Sequence, residues 1–166
     1  MIIRQVSAED YPEIVRIYNQ AVSAGGLTGD EHLQTLDEKR AWLEQHNGRH
    51  YDLFVAQAGE EIRGYLALSP YRHGRPAFFN TAEISYYVDE NYHRQGIASR
   101  LLDHALDACE KLEINTLIAI LLSGNQASIT LLEKYGFREW GCMPQIGRLQ
   151  NSVVDHLYYG KHLRKP

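Results

Sequence analysis

Between Gly96 and Leu122 the sequence sets its most regular amphipathic helix directly before its most apolar strand, and this pair constrains the fold more than any other feature. From Gly96 to Leu112, Ile97, Leu101, Ala105 and Ala108 share one helical face with Ala98, Leu102 and Cys109 beside them, while Asp103, Asp107, Glu110 and Lys111 point outward. Thr116 to Leu122 is a continuous apolar run of strand length, suited to burial within a sheet. A one-faced helix beside a buried strand implies a helix layered on a sheet, and the expected class is mixed α/β.

The hydrophobic period changes along the rest of the chain in the same alternating way. Ile2 to Val6 reads as a strand. Ser7 and Asp10 then open a helix through Ile14, Ile17, Tyr18 and Ala21, which ends near Gly25-Gly26. A second helix covers Thr35 to His46, with Leu36, Trp42 and Leu43 inward and Asn47-Gly48 closing it by left-handed geometry. Leu53 to Ala58 and Ile62 to Leu68 alternate around Gly59-Glu60-Glu61 as a β-hairpin, and Ala82 to Val88 is a further strand. After Leu122 come a short helix over Gln126 to Tyr135 and two strands over Arg138 to Ile146 and Val153 to His162. No repeat or linker interrupts this order, so residues 1–166 are expected to form a single domain.

Composition removes several classes of function. The net charge of −4 argues against broad attraction to nucleic acid, although a local anion site remains open. The longest apolar stretch, Leu117 to Leu122, is far short of a membrane span, and the N-terminus has no basic flank before an apolar block; a cytoplasmic protein without membrane contact is expected. Cys109 and Cys142 lie far apart without metal-ligand spacing, so neither a disulfide framework nor a metal site is expected.

A candidate for such a site lies at the start of the strongest helix, where a glycine in a tight turn beside solvated arginines is the plainer alternative. Tyr92-His93-Arg94-Gln95-Gly96-Ile97-Ala98-Ser99-Arg100 turns from a strand into the helix with three basic side chains and no carboxylate. Backbone N–H groups at a helix start are unpaired and sit at the positive end of the macrodipole, and a glycine lets a phosphate approach closely. The segment matches neither the dinucleotide-binding pattern G-x-G-x-x-G nor the P-loop pattern.

His93-Arg94-Gln95-Gly96-Ile97-Ala98 resembles the Q/R-x-x-G-x-G/A signature of the GNAT N-acetyltransferases, with histidine in place of the first Gln or Arg. Asn125-Gln-Ala-Ser128-Ile-Thr-Leu131-Leu132-Glu-Lys-Tyr135-Gly136-Phe137 is similar to a second family block, N-x-x-A/S-x-x-L-Y/H-x-x-x-G-F. The two blocks occur in the family's order, separated by the amphipathic helix and the buried strand. Thr81-Ala-Glu83-Ile-Ser-Tyr-Tyr87-Val88 and Met143-Pro-Gln-Ile-Gly147 bring the likeness nearest to the phosphinothricin and methionine sulfoximine acetyltransferase branch. That branch often has an arginine before the Glu-bearing strand and a tryptophan before a late Asp; here Phe79 and Val153 stand at those places, with Asp155 retained.

The resemblance implies a mixed, mostly antiparallel, twisted sheet of about seven strands with about four helices. It also implies acetyl-CoA as co-substrate, no metal, a small-molecule amine acceptor and a homodimer. The amides from Arg94 to Ser99 would hold the CoA pyrophosphate, supported by His93, Arg94, Gln95 and Arg100. Asn125 and Ser128 would face the pantetheine arm, and the backbone near Tyr87 and Val88 would polarise the acetyl carbonyl. Glu83, on one strand face with Ser85 and Tyr87, resembles the strand glutamate that serves as base in many relatives. Tyr71, Arg72, His73 and Phe79, in the loop Ser69 to Thr81, are expected either to line the acceptor pocket, together with Ser85 and Asp155, or to form an interface. The family position that often holds a tyrosine acid is Leu132 here, and Tyr135, one turn away, cannot inherit that role; the acid is left to water or another tyrosine.

Direct attack suffices for such a reaction. An α-amino group with a pKa of about 8 is neutral enough at pH 7 that the penalty is about 1.4 kcal/mol, against about 4.6 kcal/mol for a lysine-like amine. The expected activity is acetyl transfer to a primary amine of an amino-acid-like acceptor in a ternary complex. Two readings stand beside it: a protein N-terminal acetyltransferase, and a catalytically idle CoA-binding module.

Overall fold

The chain is described over residues 1–46 and 50–164 in a computed structural model. Among these residues it forms seven strands and four α-helices: β1 (Ile2–Gln5), α1 (Tyr11–Ala24), α2 (Leu36–Glu44), β2 (Leu53–Ala58), β3 (Glu61–Pro70), β4 (Thr81–Val88), α3 (Ile97–Lys111), β5 (Thr116–Leu122), α4 (Gln126–Lys134), β6 (Arg138–Leu149) and β7 (Ser152–His162). The order matches the sequence reading, and the expected mixed α/β sheet is present. No described helix is long and apolar enough to cross a membrane.

The strands lie in the order β1-β2-β3-β4-β5-β7-β6. Neighbours are antiparallel except β4 and β5, which run parallel. Both faces of the sheet are covered, which explains the unbroken apolar runs of its central strands. Ile14, Ile17 and Leu43 of α1 and α2 bury one face against Leu53, Val55, Tyr65 and Ala67. Leu101, Leu102 and Ala105 of α3, with Ile129 and Leu132 of α4, bury the other against Phe54, Leu66, Leu68, Ile84, Leu117 and Ala119.

Several boundaries differ from expectation for local reasons. Pro12 near the N-terminus of α1 follows a separate 3-10 turn at Ala8–Asp10, so the helix opens at Tyr11 rather than just after Ser7. Thr35 caps α2, its Oγ1 accepting the Glu38 N–H at 3.3 Å, but the helix stops at Glu44; the proposed Asn47-Gly48 closure lies outside the described residues. Glu61 pairs with Ala58 and belongs to β3, which narrows the hairpin turn to Gly59-Glu60. The β6–β7 hairpin is longer than the sequence pattern implies because register shifts at Glu139/Gly141 and Met143/Gly147 break the alternation that marks a strand.

Gly64 sits in β3 opposite Val88, beneath the first turn of α3. A Cβ there would lie 2.9 Å from the Tyr87 carbonyl oxygen and 3.2 Å from Ile97 Cγ2, so β3, β4 and α3 meet at a distance only glycine permits.

Candidate active site

Parallel pairing between β4 and β5 covers only Thr81 with Thr116, Ala82 with Leu117 and Glu83 with Ile118. Beyond Glu83 the strands part: β4 stays paired with β3 to Val88, and β5 stays paired with β7 to Leu122. The Asp89 N–H donates to the Arg63 carbonyl at 3.0 Å. By antiparallel alternation, Glu83, Ser85 and Tyr87 therefore exchange bonds with β3, whereas the N–H groups of Ile84, Tyr86 and Val88 point toward the gap.

Two cavities open onto this gap, the smaller from the α1–α2 face of the sheet and the larger from the α3–α4 face, reaching across to Gln20, Ala21 and Ala24 of α1. The larger, about 700 Å³, lies toward α3 and α4 and is lined by Tyr86, Val88, His93, Arg94, Gly96, Ile97, Ala98, Ser99, Asn125, Ser128 and Leu132, among others. The smaller, about 300 Å³, lies toward α1 and α2 and includes Glu83, Tyr18, Thr28, Lys39, Trp42 and His156. Leu27, Ser85, Tyr87, Ile120 and Leu121 line both, so the cavities meet where the strands separate.

At the end of β4 the chain makes a 3-10 turn over Glu90–Tyr92 and enters α3 through two left-handed residues, Arg94 (φ 58°) and Gly96 (φ 76°). Arg100 N–H makes the first helical bond, to the Gly96 carbonyl at 3.1 Å; the N–H groups from Arg94 to Ser99 donate to no described protein group. Open space surrounds the Cβ position of Gly96. A diphosphate fits this cradle, because unpaired amides converge on room that a side chain would otherwise fill. His93 Nε2 lies 2.9 Å from the Val88 carbonyl and closes the turn. Asp89, 2% exposed, anchors it from behind by accepting from Arg16 at 2.5 Å and from the Asn91 N–H at 2.9 Å. Burial alone would raise the Asp89 carboxyl, but the Asn91 N–H and the Arg16 guanidinium prevail and hold it below its ordinary value.

Other expected residues are divided by the fold. Glu83 reaches the smaller cavity, and burial pushes its carboxyl above its ordinary value. Tyr87 is pushed up to about 12 by burial and stays protonated at neutral pH. Asn125 caps α4, its side chain accepting the Ser128 N–H at 3.2 Å. Gln95 lies outside the lining of both cavities, and Arg100 donates to the Met1 carbonyl at 2.7 Å. Tyr71, Arg72, His73 and Phe79 also lie outside it; Phe79 stacks on His50 with ring centroids 3.9 Å apart, and Tyr71 meets Phe78 edge-on. Asp155 accepts the Gln145 N–H at 2.8 Å, within the β6–β7 hairpin. The Tyr135 hydroxyl is 2.9 Å from both the Ser99 carbonyl and the Asp103 carboxylate, committed to α3.

Sequence reasoning missed Lys39 and His156, and it took Tyr18 and Trp42 as core. The Tyr18 hydroxyl donates to Asp30 at 2.7 Å, and Lys39 Nζ lies 4.0 Å over the Tyr18 ring and 3.6 Å from Asp30. A tyrosine and a lysine on otherwise apolar faces were the available signal. The thiols are remote from this chemistry: Cys109 is buried, which pushes it up to about 12, and Cys142 is exposed on β6.

The family model described as the acetyltransferase (GNAT) family matches residues 11–137. The chain is 32% identical over 164 residues to the phosphinothricin N-acetyltransferase of Streptomyces coelicolor, covering 97% of this chain and 95% of that protein. It is 31% identical over 154 residues to an L-methionine sulfoximine/L-methionine sulfone acetyltransferase of Pseudomonas aeruginosa, covering 92% and 89%. A phosphinothricin acetyltransferase of Sinorhizobium meliloti, solved in complex with AcCoA, superposes with a TM-score of 0.90 at 25% identity, covering 97% and 87%.

Proposed function

Since the chain belongs to the GNAT family of acetyltransferases and is an acetyl-CoA-dependent enzyme, we propose that it acetylates the α-amine of a small amino-acid-like molecule through direct attack in a ternary complex. The observation that carries this reading is the meeting of two cavities at the parted strands, one with an amide cradle and the other with a half-buried carboxylate. A 300 Å³ acceptor cavity lies at the lower limit for small-ligand sites and suits an amino-acid-sized molecule better than a protein terminus. Relatives named for phosphinothricin and methionine sulfoximine support an acceptor of that class.

In the proposed arrangement the amides of Arg94 to Ser99 hold the pyrophosphate, with His93 and Arg94 at its edge and Asn125 and Ser128 along the pantetheine arm. Bound acetyl-CoA supplies an activated acetyl thioester. The Val88 N–H, aimed into the gap, donates to the acetyl oxygen as negative charge develops there. Glu83 accepts the proton lost by the attacking amine, a task helped by its raised affinity for protons. Lys39 meets the carboxylate or equivalent anionic group of the acceptor, while Ser85 and His156 border it. The proposal further includes one catalytic domain, a cytoplasmic location and a homodimer, in which the loop bearing Tyr71, Arg72, His73 and the half-exposed Phe79 is the interface candidate.

A thiol-release assay over L-methionine sulfoximine, L-methionine sulfone, phosphinothricin, unmodified L-amino acids and short peptides tests the reading. Turnover with free α-amino acids or their analogues is expected, with one acetyl group gained by mass. Release with peptides alone would overturn the acceptor class, and CoA binding without acceptor-dependent release would overturn catalysis.

A further inference from the structure

Tyr86 carries the one buried side-chain polar atom that lacks a partner among the described residues. It lies three residues beyond the last β4–β5 pair, on the opposite strand face from Glu83, and borders the larger cavity. Its ring packs against the cluster beneath α3 and α4, and its hydroxyl approaches the Ser128 side chain without completing a hydrogen bond. An unpartnered hydroxyl is unfavourable in a protein interior unless a ligand or a function accounts for it.

We propose that Tyr86 is the general acid of this enzyme, giving its hydroxyl proton to the departing sulfur of coenzyme A. Helical side chains slant toward the N-terminus, so a long side chain at position 132 would end over Ser128, one turn back. Leu132 occupies that helix position and has no proton to give; the phenol of Tyr86 reaches the same place from the strand. Glu83 and Tyr86 thus flank the parted strands from opposite sides, as the attacking and leaving atoms require. The amine nitrogen bonds to the acetyl carbon and loses a proton to the Glu83 carboxylate. The carbon–sulfur bond breaks, its electron pair stays on sulfur, and sulfur takes the Tyr86 proton. After release, Glu83 returns its proton to solvent and the phenolate regains one. Burial pushes Tyr86 up to about 12, which keeps the phenol protonated at working pH.

This rests on the larger cavity being the acetyl-CoA site, and the test separates the two. Tyr86→Phe keeps the ring and removes an unpaired hydroxyl, so its melting temperature should equal or exceed that of the parent. Single-turnover thiol release, with the fastest amine of the panel above, should slow by about 10²-fold, while calorimetric affinity for CoA stays within about threefold, the small change expected when no ligand-holding contact is lost. Parent-like turnover in Tyr86→Phe, or a loss confined to CoA affinity, would overturn the role of Tyr86 alone. Failure of the parent to bind CoA would overturn the cavity assignment and Tyr86 with it.

Discussion

Replacing Gly64 by alanine probes the junction on which the proposed oxyanion contact depends. The new methyl would meet the Tyr87 carbonyl oxygen at 2.9 Å, Ile97 Cγ2 at 3.2 Å and the Val88 Cα at 3.3 Å. Restoring carbon contacts to about 3.5 Å requires Ile97 to yield about 0.3 Å and the Val88 backbone about 0.2 Å. Overpacking of this kind costs about 1–3 kcal/mol, and the stiffer unfolded chain of alanine offsets about 0.4–1 kcal/mol. The difference spans about 0–2.6 kcal/mol, and its middle, about 1.3 kcal/mol, lowers Tm by about 3–5 °C in a chain of this length. If a 1 Å misplacement costs about 10²-fold in rate, a shift of about 0.2–0.3 Å in the Val88 N–H costs about threefold in kcat. Circular-dichroism melts and steady-state kinetics read both. A Tm equal to the parent's with unchanged kcat would refute the reasoning, because it would show slack where the distances leave none.

Glu83→Gln should lower kcat by about 10²-fold, retain CoA affinity and remove the acidic limb of the pH–rate profile. Because burial raises the folded-state pKa of Glu83, its charged form is penalised above that value; Glu83→Gln should melt higher at pH 7, and the gain should vanish as pH falls below the ordinary 4.5. Gly96→Ala should lose about 1 kcal/mol of stability from its left-handed backbone, and Gly96→Val should also weaken CoA binding in calorimetry by filling the cradle. Arg16→Gln should lower Tm at neutral pH by leaving the buried Asp89 carboxylate short of a partner. Asp89 is held below its ordinary 3.8, so this deficit should persist above that pH and fade only as acid protonates the carboxylate.

The order of elements was legible because most strands and helices here carry clean periods, as in Gly96 to Leu122. The turn proposed to hold the phosphates was legible because it is local: a strand end, a glycine and a helix start are contiguous in sequence. The smaller cavity, proposed for the acceptor, was not, since Tyr18, Lys39, Glu83 and His156 come from α1, α2, β4 and β7 and meet only through the sheet order. Phe79 and its neighbours were read as either acceptor lining or interface, and in one chain that loop packs beside His50 and Tyr51, away from both cavities. Tyr86 was hidden by its place within an apolar strand, where nothing in the pattern distinguishes a packed ring from one whose hydroxyl lacks a partner.

The two cavities are built from different materials. The proposed donor side rests chiefly on main-chain amides and a left-handed turn, so many side-chain changes leave it standing; the proposed acceptor side is walled by individual side chains on well-separated segments. On that assignment, mutation would redraw which molecules are accepted while the acetyl supply stays intact, which makes the small cavity the natural place to retrain this scaffold for a new amine.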